Sequence, residues 1–88
     1  LAIALGNLGQ VMRDEGKYPQ ALDYLREALA TARAIDAEKE EVYILTQTAW
    51  VFHDQGKFID AQPYLRDALT ISKRRGLQKS EYKALLLL

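Results

Sequence analysis

The spacing of apolar residues predicts helices throughout the chain. Apolar side chains recur at intervals of three and four positions, the period of one face of an α-helix, and not at every second position as in a strand. Strong helix formers such as alanine, leucine, glutamate and arginine dominate the chain. We therefore expect an all-α fold whose first helix runs from Leu1 to about Glu15. Its core-facing residues are predicted to be Ala4, Leu5, Leu8, Val11 and Met12.

Glycine and proline predict the boundaries of the first helices. Gly16 is expected to end the first helix in the left-handed conformation that glycine adopts readily, and Gly56 is expected to end a later helix in the same way. Pro19 falls in the first turn of a second helix that extends to about Ile35. At that position the missing N–H group of proline costs nothing.

The second half of the chain predicts a further helical pair. Asp36 is expected to be the N-cap of a third helix that extends to about Gln55. A fourth helix is expected over residues 59–75, and a fifth is expected to begin near Gln78. Pro63 would remove a backbone hydrogen bond inside the fourth helix, which predicts a kink or a later helix start there.

One pattern of residues is written twice, forty positions apart. Gly16-Lys17-Tyr18, Ala21, Tyr24-Leu25-Arg26 and Ala28-Leu29 return as Gly56-Lys57-Phe58, Ala61, Tyr64-Leu65-Arg66 and Ala68-Leu69. A fixed period of this size is typical of a solenoid, whose units bury their apolar faces against each other. We expect one unit at 1–36, a second at 37–76, and the first helix of a third at 77–88, as part of a longer array. The repeated alanines and aromatic residues are expected to pack inside the two helical hairpins.

Composition excludes several classes of function. Twelve basic residues balance twelve acidic ones, so the formal net charge is zero and neither nucleic acid nor an anionic membrane is an expected partner. The chain contains no cysteine, which excludes disulfides and thiolate metal sites and fits a cytoplasmic protein. No apolar stretch approaches the roughly 18 residues that a membrane-spanning helix needs.

The residues also argue against an enzyme. The chain has one histidine, no glycine-rich phosphate loop and no pair of carboxylates in a buried helical setting. His53 has no second histidine or carboxylate cluster at metal-ligand spacing. We predict no catalytic residue, no metal and no cofactor.

The repeated residues resemble those of the tetratricopeptide repeat family. The first copy carries the family's spacing at Leu8-Gly9, Gly16, Tyr18, Ala21, Leu25 and Ala28-Leu29, and the second carries it at Phe52, Gly56, Phe58, Ala61, Leu65 and Ala68. The forty-residue period resembles the longer variety found in Leu-Gly-Asn type adaptors and in sensor regions of some bacterial regulators. The resemblance implies a right-handed α-α superhelix, with two repeat units and the start of a third helix pair.

The resemblance also implies a concave groove, lined by the first helix of each unit, that holds a peptide or helix of a partner protein. The implied groove positions are Ile3, Asn7, Gln10, Arg13 and Asp14 in the first unit, Tyr43, Gln47, Trp50, His53 and Asp54 in the second, and Lys83 and Leu87 in the third. The groove is expected to contain Asn7, Gln10, Arg13, Tyr43, Gln47, Trp50, His53 and Lys83 as its binding residues.

Each of these positions also has a structural interpretation. Asn7 and Gln47 could read a peptide backbone through their amides or could belong to a solvated polar face. Trp50, on one helical face with Tyr43, could anchor a ligand or pack against the neighbouring repeat. The adjacent pairs Arg13-Asp14 and His53-Asp54 could orient a charged ligand or form a mixed solvated surface.

The sequence and the resemblance together predict two alternative functions. The first is a protein-protein interaction module that binds a partner's peptide or helix in the groove. The second is an effector-sensing regulatory segment of a bacterial signalling or transcription regulator. The apolar run Leu85-Leu86-Leu87-Leu88 further predicts possible self-association through the last helix.

Overall fold

The computed structural model describes residues 1–75, apart from the side chain of Arg75, and contains four helices there. The helices are α1 (Ala2–Asp14), α2 (Tyr18–Ala34), α3 (Glu38–Asp54) and α4 (Phe58–Arg75). Residues 1–75 include no strand, so the expected all-α fold is confirmed. The predicted fifth helix and third unit lie outside the described residues.

The helices form two hairpins that pack side by side. α1 packs along α2, α3 packs along α4, and α2 joins the hairpins by packing against α3. α1 also approaches α3, whereas no Cα atoms of α2 and α4 come within 8 Å of each other in the part of the chain that the structure describes. The first helices of the two hairpins therefore lie closer together than the second helices do.

Gly16 and Gly56 end α1 and α3 as predicted. Their φ angles are +76° and +74°, in the left-handed region that costs a residue with a Cβ atom about 1–2 kcal/mol. The N–H of Gly16 donates to the carbonyl of Arg13 at 2.9 Å, and the N–H of Lys17 donates to that of Met12 at 2.8 Å. This pair of bonds is the Schellman motif. A Cβ on either glycine would meet no atom within 4 Å, so backbone conformation and not space requires glycine.

Asp36 was predicted to be the N-cap of α3, and this prediction is wrong. It has a φ of +52° and ends α2 in the manner of the two glycines. Its N–H donates to the carbonyl of Arg33 at 3.3 Å, and the N–H of Ala37 donates to that of Ala32 at 2.9 Å. Ala37 is the N-cap of α3 and makes no side-chain cap bond. Aspartate can take this role because its short polar side chain tolerates the left-handed conformation better than most residues do.

The buried face of α1 is rotated from the predicted one. Its buried residues are Ala2, Leu5, Gly6 and Gly9. Leu8 and Val11, predicted to face the core, are 42% and 48% exposed, and Ala4 is exposed as well. A Cβ placed on Gly9 would lie 2.8 Å from Leu25 Cγ, so the two helices are too close there for any side chain on α1. Close packing through glycine, which carries no hydrophobic signal, decides which face is buried.

The prediction that the repeated alanines pack inside the two hairpins is confirmed. These four alanines are at most 3% exposed, and they are Ala21, Ala28, Ala61 and Ala68. Of the aromatic residues predicted to pack inside the hairpins, Tyr18, Tyr24 and Tyr64 are half-buried against the core clusters. Phe58 departs from this prediction because it is 56% exposed. Of the two alternatives predicted for Pro63, a kink or a later start of α4, the later start is wrong, since the helix begins at Phe58 and includes Pro63.

Candidate peptide-binding groove

The contact between α1 and α3 creates a surface that neither hairpin has alone. Seven of the predicted binding residues lie on these two helices within residues 1–75. They are Asn7, Gln10, Arg13, Tyr43, Gln47, Trp50 and His53. We call the surface that they share the groove. All seven are exposed or half-buried, so each has contact with solvent.

A tyrosine and two amides occupy one part of the groove. The Tyr43 hydroxyl of α3 lies 3.2 Å from Asn7 Oδ1 and 3.3 Å from Gln10 Oε1 of α1. A phenol carries one hydrogen, so it donates to one amide oxygen at a time, and the other amide can turn its NH₂ group toward the hydroxyl. These contacts are exposed, and hydrogen bonds of this kind contribute only about 0.5–1.5 kcal/mol each.

Gly6 positions this tyrosine and was not among the predicted binding residues. A Cβ at Gly6 would lie 3.1 Å from Tyr43 Cε2, closer than most real contacts of a Cβ. The absence of a side chain therefore lets the aromatic ring lie against α1. The sequence signal for this role is the helical spacing of Gly6 and Gly9, which places both residues on the same side of α1.

Arg13 connects the two units at the other part of the groove. Its Nε lies 3.0 Å from Asp54 Oδ2, and its Nη1 donates to Gln47 Oε1 at 3.3 Å. Its Cζ also lies 5.6 Å from the centre of the Trp50 ring, within the range of a cation-π interaction. The side chains of Arg13 and Asp54 are 22% and 31% exposed, so solvent screens the pair and its contribution is about 0–1 kcal/mol.

The charged residues of the groove pair between the units. The sequence placed Arg13 beside Asp14 and His53 beside Asp54, as residues that could orient a charged ligand or form a mixed solvated surface. In the structure, Arg13 of α1 pairs with Asp54 at the end of α3. Adjacent residues on a helix point in directions about 100° apart, so the closest partner comes from the neighbouring helix.

A row of aromatic rings continues from the groove to the α3–α4 turn. The ring centres of Trp50 and His53 are 5.3 Å apart in an edge-to-face arrangement, and those of His53 and Phe58 are 4.8 Å apart in the same geometry. Trp50 is half-buried and keeps part of its surface in solvent. Its contact with Arg13 shows that it packs on the neighbouring unit, and its exposed part leaves it able to meet a ligand.

The remaining predicted groove residues divide into two groups. Ile3 is 45% exposed and Asp14 is exposed on α1. Lys83 and Leu87 lie outside the described residues. Within residues 1–75, no group of three His, Cys, Asp or Glu side chains could hold a metal ion. None of the four described helices has the length and apolar character to cross a membrane.

The fold and this surface define a class of protein, a helical-hairpin repeat whose first helices share a polar and aromatic face. The family model of the tetratricopeptide repeat matches residues 1–74. Because this match spans most of the chain, the chain belongs to the tetratricopeptide repeat family, whose members generally act as protein-interaction modules and are typically non-catalytic. The comparison with curated proteins gave no match, and the comparison with solved structures gave none either.

Proposed function

We propose that the groove binds an extended peptide or a helix of a partner protein. The observation that supports this proposal best is the cluster of Tyr43, Asn7 and Gln10. It brings side chains of two repeat units together while leaving both amides exposed to solvent. A polar cluster that served only to hold the units together would be expected to be buried, because burial strengthens such bonds.

The amides are suited to reading a peptide backbone. Asn7, Gln10 and Gln47 each offer a carbonyl acceptor and an NH₂ donor, which match the N–H and C=O groups of an extended chain. In the free protein these amides lie 3.2–3.3 Å from the side chains of Tyr43 or Arg13. Because each such hydrogen bond contributes little free energy, a peptide can replace these partners at little cost. This part of the recognition would not depend on the partner's side chains.

Tyr43 and Trp50 supply the apolar part of the recognition. Large aromatic side chains contribute most of the binding energy at many protein interfaces. Arg13 does not offer a free positive charge, because Asp54 neutralises it. The groove therefore favours a neutral or mixed segment over a partner that is held by a carboxylate or a phosphate.

The regulatory alternative is favoured by one observation, the position of Arg13. A ligand that took Arg13 from Asp54 and Gln47 would loosen the contact between the two units and change the curvature of the repeat. A regulator of this kind predicts that Asp54→Asn strengthens the binding of an anionic effector, since Arg13 is released. The peptide-binding proposal predicts no such gain.

We also propose that the module acts as a scaffold in the cytoplasm, which the absence of cysteine supports. The division of the chain into two units and the start of a third remains a prediction. So do the closer resemblance to Leu-Gly-Asn type adaptors and self-association through residues 77–88.

The experiment that tests the main proposal is a selection of phage-displayed random peptides on the immobilised protein. The affinity of the best peptide for the unmodified protein is then compared, by fluorescence anisotropy, with its affinity for one triple variant. That variant carries Asn7→Ala, Gln47→Ala and Trp50→Ala. We expect the dissociation constant of the complex to rise at least tenfold, about 1.4 kcal/mol. The variant removes the aromatic ring of Trp50 and the two amides that would form hydrogen bonds to the peptide backbone.

The matched control is a second triple variant on α2, namely Gln20→Ala, Asp23→Ala and Glu27→Ala, at exposed positions outside the groove. It should bind the peptide as the unmodified protein does. Circular dichroism of both variants shows whether the helices are retained. If the groove variant keeps its helices and its affinity, the groove is not the binding site.

A further inference from the structure

The row of aromatic rings leads from the groove to an exposed isoleucine. Trp50 contacts His53, and His53 contacts Phe58, with ring centres 5.3 Å and 4.8 Å apart. Phe58 and the next residue, Ile59, line the same shallow hollow at the α3–α4 turn. Ile59 is 81% exposed. We call these four residues the strip, because they connect the groove with the surface of the turn.

A following repeat unit would not bury Ile59. Its counterpart forty positions earlier is Pro19, and both are the second residue of their helices. Pro19 is exposed although α3 of the next unit packs against α2. A further helix packed against α4 in the same way would therefore leave Ile59 accessible.

The first unit does not carry this strip. The counterparts of its four residues are Gln10, Arg13, Tyr18 and Pro19, of which only the tyrosine is aromatic. Proline suits the first turn of a helix, whereas a β-branched residue such as isoleucine is a weaker helix former. The repeat fold therefore gives no reason for isoleucine at position 59. An exposed apolar residue that continues a row of rings indicates an interaction surface.

We propose that the partner's segment continues from the groove along the strip and packs an apolar side chain on Ile59, an inference that rests on the peptide-binding function proposed above. The contacts between the units give the direction of the groove. Gln10 lies beside Tyr43, and Arg13, farther along α1, lies beside Asp54 at the end of α3. A segment bound along this line runs toward the α3–α4 turn.

The charges along this path favour an apolar side chain of the partner over a charged one. Asp54 neutralises Arg13 at the end of the groove. Lys57 and Asp60, which line the hollow with Ile59, carry opposite charges. Because neither sign prevails, a charged side chain would gain little attraction there, whereas an apolar one would remove the exposed isoleucine from water.

The length of α3 indicates which part of the partner reaches the turn. The distance along the helix from Tyr43 to Asp54 is about 16 Å, at about 1.5 Å per residue. An extended peptide advances about 3.3 Å per residue, so about five residues cover this distance. The residues that follow these five would lie against Ile59, at one end of the bound segment.

Peptide binding to Ile59→Gln tests the proposal. The peptide obtained from the phage selection is measured by fluorescence anisotropy with the unmodified 88-residue chain and with this variant. We expect the dissociation constant to rise about fivefold or more, because an apolar contact is replaced by a polar amide. The position is exposed, so the helices should be retained, which circular dichroism checks.

The matched control is Ile35→Gln. Ile35 is 67% exposed and follows α2, so it lies at the α2–α3 turn and not at the α3–α4 turn. The substitution makes the same chemical change at the opposite end of α3. It should leave the affinity for the peptide unchanged.

Shortening the peptide distinguishes a direct contact with Ile59 from an indirect effect on the groove. The peptide is shortened one residue at a time from either end, and each form is measured with the unmodified chain and with Ile59→Gln. Shortening from one end only should weaken binding to the unmodified chain until both proteins bind equally. Shortening from the other end should leave the effect of Ile59→Gln in place.

Two results would overturn the proposal. Ile59→Gln could bind the full peptide as well as the unmodified chain does, or it could weaken every shortened form equally, which would assign the effect to the groove. Either result leaves peptide binding in the groove intact. A selection that yields no peptide, or only peptides that bind the triple groove variant unchanged, would refute peptide binding in the groove and this proposal together.

Discussion

Two glycines of α1 allow the packing of the repeat to be tested by the smallest possible change. Gly6→Ala and Gly9→Ala each add one methyl group to a buried position of the same helix. Both substitutions gain about 1 kcal/mol of helix propensity, because glycine is a poor helix former. The difference in stability between them therefore isolates what each methyl group meets.

The methyl group at position 9 meets atoms that cannot move away. Its Cβ would lie 2.8 Å from Leu25 Cγ and 3.3 Å from the carbonyl oxygen of Ala21. Leu25 is 1% exposed and lies within the core, and the oxygen belongs to the backbone. Overpacking of this kind costs about 1–3 kcal/mol, so Gly9→Ala should lose about 0–2 kcal/mol after the gain in propensity.

The methyl group at position 6 meets a side chain that can move. Its Cβ would lie 3.1 Å from Tyr43 Cε2, on a half-buried ring at the solvent-facing groove. A small rotation of the ring relieves the contact, so Gly6→Ala should keep most of its gain. We expect it to be more stable than Gly9→Ala by about 1–3 kcal/mol, which is the overpacking cost at position 9.

Urea unfolding followed by circular dichroism measures this difference. In a domain of this size, 1 kcal/mol corresponds to about 4–8 °C in Tm, so thermal unfolding should resolve it as well. The reasoning would be refuted if Gly9→Ala were as stable as Gly6→Ala or more stable. Gly6→Ala should also weaken peptide binding, because rotation of Tyr43 removes its hydroxyl from Asn7.

Two further predictions concern the helix ends and the groove. Gly16→Ala should lower the unfolding free energy by about 1–2 kcal/mol, whereas Asp36→Gly, at a similar φ, should leave it unchanged or raise it by up to about 1 kcal/mol. Urea unfolding measures both, and a loss in Asp36→Gly would contradict the proposed conformational strain. A double-mutant cycle of Arg13→Gln and Asp54→Asn should give a coupling energy below about 1 kcal/mol, since both side chains are partly exposed. A coupling of several kcal/mol would show that the pair holds the two units together and is not available to a ligand.

The helix ends show how far the sequence could be interpreted without a structure. The stops at Gly16 and Gly56 were predicted because glycine after an amphipathic helix indicates a left-handed terminus. The same stop at Asp36 was missed because aspartate is also a favoured N-cap, and both roles occur between two helices. The internal repeat could have indicated this stop, because the residue forty positions after Asp36 is a glycine, Gly76.

The positions of the candidate groove residues on the first helices were predictable, whereas their contacts were not; that these residues bind a partner stays a prediction. Helical spacing and the family resemblance placed Asn7, Gln10, Tyr43 and Gln47 on the first helices of the two units. The partners of each side chain depend on how far α1 and α3 approach and on their relative rotation. That is why the Tyr43 cluster and the pairing of Arg13 with Asp54 emerged only from the packed structure.

The sequence by itself determined that this chain is a helical repeat, because period, helix formers and glycine stops are local or internal properties. The tertiary structure decided which side of α1 is buried. Periodicity alone favoured Leu8 and Val11, which are apolar, over Gly9, which carries no hydrophobic signal. The close approach of α1 to α2 required a residue without a side chain, and that requirement turned Gly9 inward and the two larger residues toward solvent.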